Sequence, residues 1–151
     1  MDQLEAFIVR AKARTYVGGG AFRQSCRAGS RDVGFDDGDW SYLDSYFGGA
    51  DFIGQEVVWH TAVPVWAMNY YGRILDDARI DAATAGSIVK QALSALYREG
   101  RFLAGFDWTG PTGTYVDRSE GTYKSFTGVE KIRIAGAEVY RLDYAGGLIR
   151  A

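Results

Sequence analysis

Two glutamates recur in matching surroundings, Glu56 in FIGQE (52–56) and Glu130 in FTGVE (126–130). Shifted by 74 residues, FIGQEVVWHTAVPVWAMNYYG (52–72) and FTGVEKIRIAGAEVYRLDYAG (126–146) align without a gap. Phe52 falls on Phe126, Gly54 on Gly128, Trp66 on Tyr140, Met68 on Leu142, Tyr70 on Tyr144 and Gly72 on Gly146. A carboxylate held among aromatic rings can bind an ammonium or guanidinium group through cation–π and Coulomb attraction together. Kept protonated by burial, the same carboxyl can act as a general acid or base. There is also a purely structural reading: each glutamate accepts hydrogen bonds that fix its hairpin, and was copied with it.

The elements around them decide which way the glutamates point. Along 126–134, Phe126, Gly128, Glu130, Ile132 and Ile134 alternate with Val129, Lys131 and Arg133, as on a strand with one buried face. Along 138–144 the apolar set is Tyr140, Leu142 and Tyr144. The two faces agree if Ile134 lies opposite Glu138 across a three-residue Ala135-Gly136-Ala137 loop. Glu130 then faces Leu142 with Tyr140 and Tyr144 diagonal to it, and Glu56 faces Met68 between Trp66 and Tyr70. Both carboxylates point to the apolar side, where an unpaired charge costs several kcal/mol or its pKa rises.

A helix with core-facing spacing precedes each hairpin. Residues 2–14 carry Leu4, Phe7, Ile8 and Ala11 with Asp2 as cap, and residues 82–99 carry Ile88, Val89, Ala92, Leu93, Leu96 and Tyr97 with Gly100 behind them. Stretches 39–49 and 113–123 read as further strands. The expectation is one α+β domain over residues 1–151, two α-β-β-β halves (1–75 and 80–151) related by a pseudo-twofold, with an antiparallel sheet and the helices on one face. Residues 15–37, with GGG at 18–20, read as a long loop or a pair of short strands, of the kind that serves as a lid. The first hairpin is apolar on both faces (Ile53, Val57, Trp59, Val65, Ala67, Tyr71), so the 15–37 segment or a homodimer partner is expected to cover it.

Other residues complete the candidate site. Asp44 shares a strand face with Tyr42 and Tyr46, either as a third carboxylate of the pocket or as an exposed strand residue. The candidate ligand-binding set is Trp66, Tyr70, Met68, Tyr140, Tyr144, Asp44, Tyr42 and Trp108, with Glu56 and Glu130 as the candidate catalytic pair. His60 is the sole histidine and has no serine or cysteine close by in sequence, so a histidine-dependent triad has little support. No metal and no cofactor is expected. Cys26 stands alone, which excludes an intramolecular disulfide and a multi-cysteine zinc site. A net charge of -2 provides no basic field for nucleic acid, and neither a signal peptide nor an apolar run of membrane-spanning length is present. The expectation is a cytoplasmic protein with a small-molecule partner, no nucleic acid and no membrane.

The stretches FIVRAKARTYVGGG, YLDSYFGGADFIGQEVVWH, PVWAMNYYGRI and FTGVEKIRIAGAEVYRLDYAGG resemble a bacterial domain of unknown function that also occurs attached to Xre-type helix-turn-helix regulators. That resemblance covers nearly the whole chain and implies a family without implying an activity; the helix-turn-helix segment is absent here. In architecture the expected fold is similar to gyrase-inhibitor-like effector domains, which implies binding of hydrophobic, often cationic molecules between the halves. The leading expectation is therefore a small-molecule-binding domain with a carboxylate-containing aromatic pocket. The alternatives are a small hydrolase or isomerase using a buried glutamate, and a structural or dimerisation domain.

Overall fold

In a computed structural model describing residues 2–151, two helices pack on one face of a nine-stranded antiparallel sheet. Helix α1 (Gln3–Arg14) begins where the Asp2 carboxylate accepts the Leu4 N–H at 3.0 Å, and α2 (Ala82–Arg98) begins where Asp81 accepts the Thr84 N–H at 2.7 Å. Gly100, with φ 75, closes α2 as the left-handed residue after its last turn. Of the predicted apolar stripes, Leu4, Phe7, Ile8 and Ala11 on α1 and Ile88, Val89, Ala92, Leu93 and Leu96 on α2 are buried, and Tyr97 is half-buried.

The strands are β1 (Phe22–Arg23), β2 (Arg31–Asp37), β3 (Trp40–Gly48), β4 (Phe52–His60), β5 (Val63–Ile74), β6 (Phe106–Thr109), β7 (Thr114–Thr122), β8 (Ser125–Ile134) and β9 (Ala137–Leu148). Their order across the sheet is β1-β2-β3-β4-β5-β9-β8-β7-β6. The central pair is β5 with β9, in which Tyr70 lies opposite Tyr144. Each half of the chain holds more strands than the expected α-β-β-β unit. β1 and β2 form from the 15–37 segment, and β6 is four residues long, too short for alternation to reveal it.

The hairpin turns differ from the three-residue loop expected. Thr61–Ala62 and Ala135–Gly136 are two-residue turns with all four φ positive, between 49 and 79, a geometry that follows the twist of the strands they join. The surplus residue becomes a bulge at Val65 and at Val139, where the pairing shifts by one. Because the bulge restores the register, Glu56 still faces Met68 and Glu130 still faces Leu142.

Register also explains the repeated glycines. Gly54 lies opposite Tyr70 and Gly128 opposite Tyr144, and a Cβ on either glycine would run into the tyrosine's phenol. Phe52 lies over Gly72 in the same way, and Phe126 over Gly146. Each large ring lies across the place where its cross-strand neighbour has no side chain.

On the opposite face, residues 24–30 fold over β2 and β3: the Cys26 N–H donates to Asp32, and the Arg27 guanidinium sits 4.7 Å from the Phe47 ring centre. They do not reach the centre of the sheet, where Ile53 and Tyr71 remain 55% and 41% exposed. Among the described residues, no helix is long and apolar enough to cross a membrane.

Gly128→Ala is expected to cost about 1–3 kcal/mol, the range for forcing extra atoms into a packed core. Urea unfolding of wild type and variant measures it; unchanged stability would mean that the Tyr144 ring is free to move off Gly128.

Candidate functional site

Four carboxylates point from the sheet toward the helices. Asp44 on β3 is the cross-strand partner of Glu56 on β4, and Asp117 on β7 is the partner of Glu130 on β8. Tyr70 passes over Gly54 and donates its hydroxyl hydrogen to Asp44 Oδ1 at 2.6 Å; Tyr144 passes over Gly128 and donates to Asp117 Oδ1 at 2.7 Å. The glycines are thus the gaps through which the tyrosines reach their acids.

One cation enters this group. Lys12, 6% exposed near the C-terminal end of α1, places its ammonium 2.8 Å from Glu56 Oε1 and 2.7 Å from Oε2. Phe102 lies 5.6 Å from that ammonium. Glu130 has no such cation: the Tyr115 hydroxyl is turned toward it and lowers its pKa, but its Oε2, the Asp117 Oδ2 and that hydroxyl are enclosed without a hydrogen bond of normal geometry among the described residues.

Burial and like charge set the proton affinities. Burial, then the charge of Asp117, pushes Glu130 up to about 8. Burial, then the neighbouring Glu56, raises Asp44 to about 7 despite the Tyr70 hydrogen bond. Asp117 rises to about 6, mainly through burial. Near neutral pH the group therefore carries fewer negative charges than its four carboxyls would on the surface.

The group borders a cavity of about 190 Å³ between α2 and the sheet. Of the residues singled out in the sequence, Tyr42, Asp44, Glu56, Met68, Tyr70, Glu130 and Tyr140 line it. Asp44 is buried, which settles its side of the sheet. Tyr144 instead borders a separate void of about 20 Å³, with Tyr115, Asp117 and Glu130. Trp66 lies elsewhere: its ring is fixed among Phe102 and Phe126, and its indole N–H donates to the Tyr123 carbonyl at 3.0 Å. Trp108 lies on β6, folded over Gly110. Its distance from the cavity follows from the position of β6 at the sheet edge.

Lys12, Tyr115 and Asp117 complete the group without having been singled out for it. Two signals in the sequence point to them. Lys12 interrupts the apolar stripe of α1 four residues after Ile8, and YLD (42–44) recurs as YVD (115–117). Among the described residues, no group of three or more His, Cys, Asp or Glu side chains is arranged to hold a metal ion.

Charge removal at either glutamate has a measurable consequence. Lys12→Met, which strands Glu56 as a buried anion, is expected to lose about 3–5 kcal/mol, with much of that recovered in Lys12→Met/Glu56→Leu, as equilibrium unfolding of the three proteins would show. Glu130→Gln bears on pH. Because folding raises the Glu130 pKa from its ordinary 4.5 to about 8, the protonated acid is favoured in the fold, and its contribution is full below pH 4.5 and lost as pH rises through 8. Glu130→Gln is therefore expected to be more stable than wild type at pH 8.5, with the advantage shrinking toward pH 5; a gap independent of pH would place the Glu130 pKa outside that interval.

Comparison with curated proteins and with solved structures finds no match. A family model does match, over residues 44–149, from the acid that Tyr70 holds to the end of β9. That span includes all four carboxylates and every strand from β4 to β9, and by it the chain belongs to the family described as Domain of unknown function (DUF5680).

Proposed function

We propose that the chain is a small-molecule-binding domain whose ligand is an organic cation held in the 190 Å³ cavity. The observation that carries this reading is Glu130, whose enclosed Oε2 lacks a partner while the cavity's one lysine is engaged by Glu56. An ammonium or amidinium group would supply the missing donor, and the phenol rings of Tyr42, Tyr46, Tyr70 and Tyr140 would add the faces that cations favour. The volume fits the class: an engineered cavity of about 150 Å³ accepts benzene. The same reading suits the binding of hydrophobic, often cationic molecules that the expected architectural analogy to gyrase-inhibitor-like effector domains implies.

Binding a cation favours the ionised acid, so uptake is coupled to proton release from Glu130. Affinity for benzylamine is expected to rise as pH increases from 6 to 8.5, since the acid that must ionise does so near 8, and to fall at higher pH, where the amine itself loses its proton. Benzylamine is expected to raise the thermal midpoint, benzyl alcohol to leave it unchanged, and Glu130→Gln to abolish the rise. Equal shifts from amine and alcohol, or no shift from benzylamine and benzamidine in wild type, would reject the cation reading.

A hydrolase or isomerase in the same cavity is favoured by one observation, that Asp44 is held near neutral pKa with the Tyr70 hydroxyl upon it, the poise of a general acid or base. Asp44→Asn would then keep benzylamine binding and lose turnover.

A further inference from the structure

The cavity has a direction. Its lining runs from buried Tyr42, Asp44 and Glu56 to exposed Tyr16, Gly49, Ala50 and Ala82. The charged groups are at the closed end, and the open end lies between the β3–β4 connection and the first turns of α2. Every residue contributed there by those two segments is small: Gly49, Ala50, Ala82, Ala85 and Gly86.

Gly86 stands out on physical grounds. It lies within the second turn of α2, where glycine lowers helix stability relative to alanine. A Cβ placed on it would meet nothing within 4 Å, so packing does not demand glycine, and its φ is not one that requires it. The same open space surrounds Gly49 on the other side. A helix that sacrifices stability at a position with room for a side chain keeps that room for something else.

We infer that the ligand is an elongated primary amine taken head first, its ammonium at Glu130 and its apolar tail leaving between Gly49 and Gly86. This rests on the cation reading above and adds the shape of the ligand and the residues that set its length. By the benzene comparison, about seven non-hydrogen atoms fill the cavity. Atoms beyond these must pass the mouth. Phe52, Ile74, Val89 and Leu142 along the way offer apolar contact to a chain.

The test is calorimetric titration of wild type, Gly86→Ala and Gly86→Leu with butylamine, hexylamine and octylamine at pH 8.5, each beside the alcohol of equal length. In wild type, affinity is expected to rise about fourfold per methylene up to hexylamine and to level off by octylamine, whose end is in solvent. Gly86→Leu is expected to weaken octylamine more than tenfold while leaving butylamine unchanged, and Gly86→Ala to melt higher than wild type with all three amines still bound. Retained butylamine binding in Gly86→Leu shows that this variant is folded. Octylamine binding undiminished by Gly86→Leu, or absent from wild type that binds butylamine, overturns the mouth and leaves the cation site standing. Failure of every amine in wild type overturns both.

Discussion

The gathering of four carboxyl groups beneath two helices that bring a single lysine to them, three of them buried and Glu130 partly so, is the constraint on which the rest depends. Isolated ionised carboxylates are too costly to leave in such a place, and the fold meets the cost in three ways. Glu56 takes the lysine, Asp44 and Asp117 take tyrosine hydroxyls, and Glu130 rises to about 8 and so keeps a proton at neutral pH. Each solution requires a particular neighbour at a particular depth. The positions of α1, of the two crossing tyrosines and of the glycines below them are therefore linked through the same group of charges.

The sheet bears the geometric consequences. A tyrosine can reach an acid two strands away only if the strand between them presents no side chain, and Gly54 and Gly128 are the residues that permit it. A phenol held over a glycine in turn fixes the register of three strands, because a slip by one residue would direct the tyrosine to the opposite face. The bulges at Val65 and Val139 absorb the residue that a two-residue turn leaves over, and so keep hairpin geometry and acid placement compatible.

The same dependence on distant partners separates the features that could be read in the sequence from those that could not. The inward placement of Glu56 and Glu130 was legible, because alternation and apolar spacing are written in residue types. The turn was not: a three-residue loop and a two-residue turn with a bulge give the same register downstream, and only the φ of Ala135 and Gly136 separates them. Trp66 illustrates a different limit. Its position beside Glu56 followed from the strand, but its ring turns toward Phe102, a residue from the segment between α2 and β6 that no local pattern connects to it. The Asp44 side chain was undecided by alternation alone, since aspartate is usually exposed; what holds it inside is the Tyr70 hydroxyl, a partner from two strands away. Asp117 escaped for a simpler reason. Its counterpart to Asp44 is offset by 73 residues, one fewer than the hairpins, and an alignment at constant spacing passes over it.

The two sets of matched residues do not end in the same environment, and the difference lies in residues that have no match. Beside Asp117 the closing side chains leave about 20 Å³, whereas beside Asp44 and Glu56 they leave about 190 Å³, and Glu130 borders both. Tyr, Gly, Asp and Glu are alike in both, so they cannot be what opens one side. The stripe of α2 over the larger cavity begins with Ala82, Ala85 and Gly86, whereas the smaller void is closed by Leu96 and Phe102; Lys12, Leu93 and Tyr97 line both. The recurring residues therefore form a scaffold of acids and tyrosines, and the residues that recur nowhere determine which part of it is solid and which is hollow. The second group would set the length of a ligand, and Glu130, from the first, the charge that the ligand meets.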